Sequence, residues 1–145
     1  MKSPKWRHGR DGEFGEVWTI PGGQIEKDEN GNEIETPEEA LKREIEDEEL
    51  HIKISHIEYI SSTKKSGVDD FIKPNIDFEF VDFIASADNY NVTPNDEISE
   101  FGWFTLDEAD AKTMIDTTKI FLRGCRQLLE QRIAEFQAEY HFDRR

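Results

Sequence analysis

The stretch TPEEALKREIEDEEL, residues Thr36–Leu50, decides most of what the sequence predicts about this fold. It opens with a strong helix start, since Thr36 can cap the helix and Pro37 suits its first turn. Glu39, three residues after the cap, completes a capping box. The pattern therefore predicts a helix from Thr36 to about Glu49.

The predicted helix carries an acidic arc beside its apolar stripe. At about 100° per residue, Leu41 and Ile45 form the stripe, and Glu44, Asp47 and Glu48 fall next to it. Like charges at this spacing repel, and partial burial adds a desolvation cost. Divalent cations would remove both costs, and hard cations such as Mg²⁺ prefer carboxylate oxygen. The arc thus predicts a metal site, with a solvated acidic helix as the alternative.

The flanking sequence alternates strand and turn signals. The run 16–20 reads as a strand that stops at Pro21-Gly22-Gly23, and 24–35 reads as a hairpin with Asn30-Gly31 at its tip. Further strands are expected from Ile52 onward, over 76–84, where a phase change near Val81–Ile84 suggests a bulge, and over 101–104. A capping box at 105–108 starts a short helix, and a long helix is predicted over 116–140. The chain is therefore interpreted as one domain of mixed helix and strand over 1–145, with a basic polar segment at 1–15.

Composition limits the classes of function. The 145 residues fit a single domain, and 18 basic against 33 acidic residues give a formal charge of −15. Such a protein should repel nucleic acid and anionic membranes as bulk partners, so a polyanionic substrate would need an intervening cation. Cys125 is the only cysteine, which excludes an intrachain disulfide and favours a reducing, cytoplasmic setting. No segment has the length and apolarity of a membrane span or a signal peptide.

The acidic helix and its approach resemble the Nudix box. That pattern is Gly, five residues, Glu, seven residues, then Arg-Glu-apolar-X-Glu-Glu-X-Gly-apolar. Gly23 matches its first Gly, Glu35 its first Glu, and seven residues separate Glu35 from Arg43. Within the run Arg43–Glu48, the positions that match in place are Arg43, Glu44, Ile45 and Glu48.

Three departures from the box are visible. Eleven residues, 24–34, stand where the family has five, and the Asn30-Gly31 hairpin accounts for the excess. Asp47 stands for the first Glu of the pair, and Leu50 stands for the Gly that normally adopts a left-handed conformation at a helix end. A second segment, 95–108, is similar to the late Nudix segment, in which an acidic loop leads into a Trp-bearing strand and a capped helix.

The resemblance implies a fold and an activity. The fold would be an α/β/α sandwich around a mixed sheet, here without the usual first strand. The activity would be Mg²⁺-dependent hydrolysis (Mn²⁺ being the other candidate) of a nucleoside diphosphate linked to another moiety. A domain that has lost catalysis and binds a nucleotide or a protein partner is the alternative. Family members are often homodimers, although no residue pattern in this chain indicates a dimer surface.

The resemblance also assigns roles to residues of this chain. Glu44 and Glu48 would be the principal metal ligands, assisted by Asp47 and the backbone at Gly23, while Arg43 would orient the carboxylates. The general base would be Glu44 or Glu97, the latter with a surface carboxylate as its alternative. Gly22 and Gly23 are expected to contact the substrate through their backbone. Trp18 would stack on the substrate, with a position in the core as the alternative. Arg7 would contact a phosphate group, with a flexible basic tail as the alternative.

Overall fold

The computed structural model describes the backbone of residues 2–7, 16–68, 76–114 and 116–143, and the side chains of 18–64, 79–114 and 116–139. Its strands are β1 (Lys2–Arg7), β2 (Glu16–Trp18), β3 (Ile54–Val68) and β4 (Ile76–Ala87). Its helices are α1 (Pro37–Lys42), a π-helical segment (Arg43–Glu49), α2 (Leu106–Asp110) and α3 (Asp116–Asp143). Helices and strands mix along the chain, so the predicted α+β class is confirmed.

The described strands form two antiparallel pairs. β1 pairs with β2, and β3 pairs with β4 as a long hairpin. Among the described residues, parallel pairing occurs at an isolated bridge between Trp18 and Met114. This bridge joins the end of β2 to the segment before α3, so that the glycine turn after β2 is held against the body of the domain.

The first part of the basic N-terminal segment does not behave as an unpaired tail. Residues Lys2–Arg7 form β1, which pairs from Lys2 opposite Trp18 to Arg7 opposite Glu16. The expectation of a polar tail is wrong there, because strand pairing satisfies backbone N–H and C=O groups whatever the side-chain charge. His8 and Arg10 lie outside the described residues, as does the side chain of Arg7.

The β3–β4 hairpin carries the irregularity that was predicted near Val81–Ile84. Tyr59 pairs with Phe83 and Ser61 pairs with Asp82, so β3 advances by two residues where β4 advances by one. The extra residue, Ile60, is therefore on β3, not on β4 as the phase change suggested. A bulge of this kind raises the local twist and bends the strand.

The strand expected over 101–104 is absent from the described structure, where this run has no regular secondary structure. Its aromatic residues are typical of strands, yet among the described residues no backbone ladder forms along it. Instead the Trp103 indole N–H donates to the backbone carbonyl of Tyr90 at 3.3 Å. The helix start that follows is confirmed, since the Thr105 hydroxyl accepts the Glu108 N–H at 3.2 Å.

The long terminal helix α3 packs on the hairpin and confirms the helix predicted over 116–140. Phe121 and Cys125 are buried on it, and a side chain at Gly124 would meet the Ile60 methyl at 3.4 Å. The second part of the core lies at its start, where Trp18 and Met114 pack together. None of the described helices has the length and apolarity to cross a lipid bilayer.

Candidate active site

The acidic helix begins as its sequence predicts. The Thr36 hydroxyl accepts the Glu39 N–H at 3.1 Å, and the Glu39 carboxylate accepts the Thr36 N–H at 3.3 Å. This reciprocal capping box satisfies two backbone donors that the first turn leaves unpaired. The helix therefore starts at a defined residue, and this start determines on which side of the first turns each carboxylate lies.

The second half of this helix is not α-helical. From Arg43 to Glu49 it is a π-helix, and the Leu50 N–H donates to the Ile45 carbonyl, five residues back, at 3.2 Å. Such segments are rare and occur mainly as single turns, often at functional sites. With five-residue spacing between bonded groups, Glu44 and Glu49 come onto a shared side of the helix.

Arg43 joins the helix to the hairpin before it. Its guanidinium binds both carboxylate oxygens of Glu35, at 3.1 and 2.6 Å, and the Gln24 carbonyl at 3.0 Å. Its Nη1 atom donates to Glu44 at 3.1 Å and to Glu48 at 2.8 Å. These charge-assisted hydrogen bonds hold three carboxylates around one cation. Arg43 therefore has the contacts expected of a residue that positions the carboxylates.

The charges of this cluster perturb one another. The hydrogen bond from Arg43 lowers the pKa of Glu35, whereas burial and then the neighbouring Glu48 charge raise the pKa of Glu44. Burial and a like charge both disfavour the ionised form of Glu44, and Arg43 offsets this in part. A divalent cation beside Glu44 would relieve both costs.

The glycine turn after β2 packs directly against these carboxylates. A Cβ atom at Gly23 would lie 1.9 Å from the Glu44 Oε1 atom, whereas one at Gly22 would meet nothing within 4 Å. The Gly22 N–H donates to the Glu49 carboxylate at 3.1 Å. Both predicted glycines therefore border the acidic helix, and a side chain at Gly23 would require the Glu44 carboxylate to move.

Glu49 is a candidate site residue that the sequence did not single out. It is 6% exposed, whereas Asp47 lies on the exposed side of the helix. On an ideal α-helix Asp47 falls nearer to Glu44, and the π-helical geometry reverses this order. The signal available in the sequence was the unbroken acidic run Glu46–Glu49, which allows the adjacent acidic pair to lie at any of three registers.

The loop after β4 closes the end of the π segment. The Asn95 N–H donates to the Glu49 carbonyl and the Thr93 N–H to the Leu50 carbonyl, each at 2.9 Å. Asn95 also accepts the Glu97 N–H through its side chain at 3.0 Å. The backbone of the loop that carries Glu97 is therefore bonded to the end of the acidic helix.

Trp18 takes the core position that was its alternative in the sequence. It is 9% exposed, its ring meets Phe104 edge-on at 5.2 Å, and the Lys112 ammonium lies 4.5 Å from its ring centroid. A ring so enclosed offers no open face for stacking. Trp18 instead packs against Ala109 of α2 and Leu122 of α3, and so connects the strand before the glycine turn to these helices.

The donor set suits a hard cation, although no ligand cage is fully assembled. Among the described residues, no three Asp, Glu, His or Cys side chains converge on one point as metal ligands. Arg43 instead contacts both Glu44 and Glu48. Carboxylate oxygens from Glu44, Glu48 and Glu49, together with the like-charge strain on Glu44, nevertheless fit Mg²⁺ or Mn²⁺ in ligand chemistry.

The acidic helix lies against a glycine turn, so that the carboxylates of Glu44 and Glu49 adjoin backbone without side chains. A family model described as NUDIX domain matches residues 5–124, which is most of the chain. The protein therefore belongs to the NUDIX domain family. A search of the curated proteins found no matching relative.

Family membership explains the register of the acidic helix. His51 has a φ of 54°, and Leu50 has a φ of −118°, so the left-handed position of the box is at residue 51. The acidic pair that precedes it by the family spacing is then Glu48-Glu49, and the following apolar position is the buried Ile52. On this register the π segment would hold one residue more than the box, and this offset would account for the departures at Asp47 and Leu50.

Proposed function

We propose that the protein is a Mg²⁺-dependent hydrolase that cleaves the pyrophosphate linkage of a nucleoside diphosphate joined to another moiety. Membership of the NUDIX domain family supports hydrolysis of such acid anhydrides as the general activity. The observation that carries the proposal for this chain is the packing of Glu44 against Gly23 with Glu48 and Arg43 beside it.

The proposed metal ligands are Glu44, Glu48 and Glu49, with the backbone at Gly23 bordering them. Bound Mg²⁺ would neutralise phosphate charge and lower the pKa of a water molecule. Glu49 replaces Asp47 in this proposal, because Glu49 is buried against Gly22 and Asp47 is exposed. Mn²⁺ meets the same oxygen-ligand requirement.

The protein's own groups supply positioning and proton transfer. Arg43 positions the carboxylates of Glu35, Glu44 and Glu48 through four hydrogen bonds. A fifth bond, to the Gln24 carbonyl, holds the guanidinium itself. A base must come within hydrogen-bond reach of the attacking water. Glu97 is the proposed base because its loop is bonded to the helix end, and Glu44, whose pKa is raised, is the rival.

A domain that binds a nucleotide or a protein partner without turnover is the second candidate. The observation that favours it is the engagement of both Glu44 and Glu48 with Arg43, which leaves no assembled cage among the described residues. Mg²⁺ with a diphosphate would have to draw these oxygens away from the guanidinium.

One set of assays separates the two candidates. The protein is incubated with Mg²⁺ or Mn²⁺ and nucleoside triphosphates, nucleotide sugars, ADP-ribose or dinucleoside polyphosphates, and released phosphate and pyrophosphate are measured. We expect turnover of at least one class, with Glu48→Gln and Glu49→Gln each reducing kcat by roughly a hundredfold. Metal-dependent binding with no turnover above the Glu48→Gln background would support the second candidate and overturn the first.

A further inference from the structure

His51 follows the acidic helix in a conformation that its side chain makes costly. Its φ is 54°, in the left-handed region where a Cβ atom crowds the backbone. A glycine takes this conformation without strain, which is why glycine usually occupies it at a helix end. The side chain of His51 should therefore make a contact that a glycine cannot make.

The imidazole ring of His51 makes such a contact. Its Nδ1 atom lies 2.7 Å from the backbone carbonyl oxygen of Thr93. A carbonyl oxygen can only accept a hydrogen bond, so the ring must carry a proton on Nδ1 and donate it. This bond joins the residue after the acidic helix to a loop that lies 42 residues further along the chain.

The ring bond belongs to a set of three hydrogen bonds between the loop and the helix end, which we call the loop clamp. Thr93 donates its N–H to the Leu50 carbonyl at 2.9 Å and accepts the His51 ring proton through its own carbonyl. Asn95 donates its N–H to the Glu49 carbonyl, also at 2.9 Å. The last carbonyl groups of a helix have no partner within it, so the loop supplies bonds that a C-terminal cap would otherwise provide. Of the three bonds, the one from the ring depends on a side chain.

The clamp acts on the residue whose carboxylate faces the glycine turn. Glu49 is 6% exposed, and its carboxylate accepts the Gly22 N–H at 3.1 Å while its carbonyl accepts the Asn95 N–H. Glu49 is thus held at its side chain from one direction and at its backbone from another. A rotation of the last turn would break both contacts, so a bond that keeps the loop in place also keeps this carboxylate in its direction.

We propose that His51 is a positioning residue of the hydrolytic site, whose ring bond to Thr93 holds the Glu49 carboxylate in the direction that metal binding requires. This assignment rests on the proposed function, because it takes Glu49 as a ligand of Mg²⁺. His51 itself touches neither the metal nor the substrate. Its effect reaches the metal through the clamp, as groups that orient a metal ligand do.

Two substitutions separate the ring bond from the backbone conformation. His51→Gly removes the bond and relieves the strain, whereas His51→Asn tolerates the left-handed conformation and keeps an N–H donor at the place of Nδ1. We expect His51→Gly to lower the Mn²⁺ affinity and kcat roughly ten- to a hundredfold, and His51→Asn to restore both. Calorimetry with Mn²⁺ alone measures the affinity, and urea denaturation shows that each variant folds. A purely structural role predicts no loss in His51→Gly, because glycine is unstrained there.

His56→Gly is the matched control. His56 also has a positive φ, 51°, and its ring Nδ1 atom also makes a contact, with the Ser55 hydroxyl at 3.2 Å. It lies on β3, and its bond is to the neighbouring residue and not to the loop. The substitution should leave the Mn²⁺ affinity and kcat unchanged.

A measurement on the wild-type protein decides the matter if the His51 variants do not fold. At pH 8 the nitrogen chemical shifts of the His51 ring should show a proton on Nδ1, since the bond that the ring makes determines which nitrogen carries it. The Thr93 and Asn95 amide protons should also exchange slowly with solvent. A ring without a proton on Nδ1, or rapid exchange of both amides, overturns the clamp.

The outcomes separate this assignment from the proposed function. Wild-type protein that binds no Mn²⁺ overturns both. Mn²⁺ binding without turnover of any substrate overturns hydrolysis, and the Mn²⁺ affinities of the variants then decide the role of His51. Wild-type affinity in folded His51→Gly overturns the positioning role alone, as does an equal loss in His51→Asn or in His56→Gly.

Discussion

At Gly23, the absence of a Cβ atom leaves the space that the Glu44 carboxylate occupies. Any side chain there would occupy the position of the Glu44 carboxylate, since the Cβ itself would lie 1.9 Å from Oε1. The obstacle is steric, because Gly23 is not among the residues with positive φ. The resemblance to the Nudix box predicts a glycine at this position, and the close approach of the Glu44 side chain is the physical reason for it.

We expect Gly23→Ala to reduce hydrolysis by roughly a hundredfold, because displacement of a metal ligand by about 1 Å costs that much. The loss should appear in kcat and in Mn²⁺ affinity, measured by calorimetry. Gly22→Ala is the matched comparison, since its Cβ would meet nothing within 4 Å and its N–H to Glu49 is kept. Equal losses in the two variants would contradict the steric explanation.

At the scale of the element, the π segment determines which carboxylates lie together. One additional residue between Ile45 and His51 is absorbed by the five-residue hydrogen bond from Leu50 to Ile45. Glu49 thereby turns toward Gly22, and His51 takes the left-handed conformation that a glycine usually occupies. A non-glycine residue in that conformation is strained by about 1–3 kcal/mol, which its setting at the helix end must offset.

Deleting Asp47 tests this explanation directly. The shortened run would have the family spacing of Arg43, Glu44 and the Glu48-Glu49 pair on an ordinary α-helix. We therefore expect the variant to fold and to keep kcat within about tenfold of the wild type, a change of about 1.4 kcal/mol in the barrier. Deletion of Lys42 is the control, because it changes the seven-residue spacing from Glu35 to Arg43 and should abolish turnover. If the Asp47 deletion is as inactive as the Lys42 deletion, the assignment of Glu49 fails.

At the scale of the whole molecule, α3 and the β3–β4 hairpin enclose an acid at their interface. Asp82 on β4 is buried, and its Oδ2 atom has no hydrogen-bond partner among the described residues. Burial raises the pKa of Asp82 to about 6. Burial also raises the pKa of Cys125 on α3 to about 11, with a smaller contribution from the Asp82 charge. The ionised carboxylate therefore opposes the packing of the helix on the hairpin.

This burial makes stability depend on pH in a definite direction. The folded pKa of Asp82 lies above its ordinary value of 3.8, so the folded state holds the proton more tightly than the unfolded chain. The destabilisation is thus absent below about pH 4, grows as pH rises, and is complete above about pH 6. A shift of this size corresponds to about 3 kcal/mol at most.

We expect Asp82→Asn to raise the free energy of unfolding by about 1–2 kcal/mol at pH 8, less than the full amount because a buried amide also lacks a partner. At pH 4 the two proteins should differ little. Urea denaturation at both pH values measures the difference, and Asp88→Asn, which removes an exposed carboxylate after β4, is the control. A stabilisation that is the same at both pH values would contradict the role of ionisation.

Local sequence determined the features that depend on neighbours in the chain. The capping box at Thr36, the N-cap at Thr105, the hairpin at Asn30-Gly31, and α3 all follow from spacing and from turn chemistry, and the structure has them. The reciprocal bond that would complete a capping box at Thr105 is replaced by a bond from the Thr105 hydroxyl to the Glu108 carboxylate. Gly31 adopts the positive φ, 82°, that this turn requires. The family could be recognised from the Nudix box for the same reason, because the residues of the box are close together in the sequence.

The tertiary structure alone decided the features that depend on contacts distant in sequence. The Thr36–Leu50 stretch specified a helix and its charges. An ideal period of 3.6 residues cannot show a π turn, so the sequence pattern placed Asp47 beside Glu44, where the structure has Glu49. Docking of the Asn95 loop and the Gly22 turn on the helix end sets that register. The bond from the His51 ring to Thr93 likewise depends on how the loop folds back. Composition indicated that a polyanionic substrate would need a cation, and packing determined which carboxylates lie beside the glycine turn.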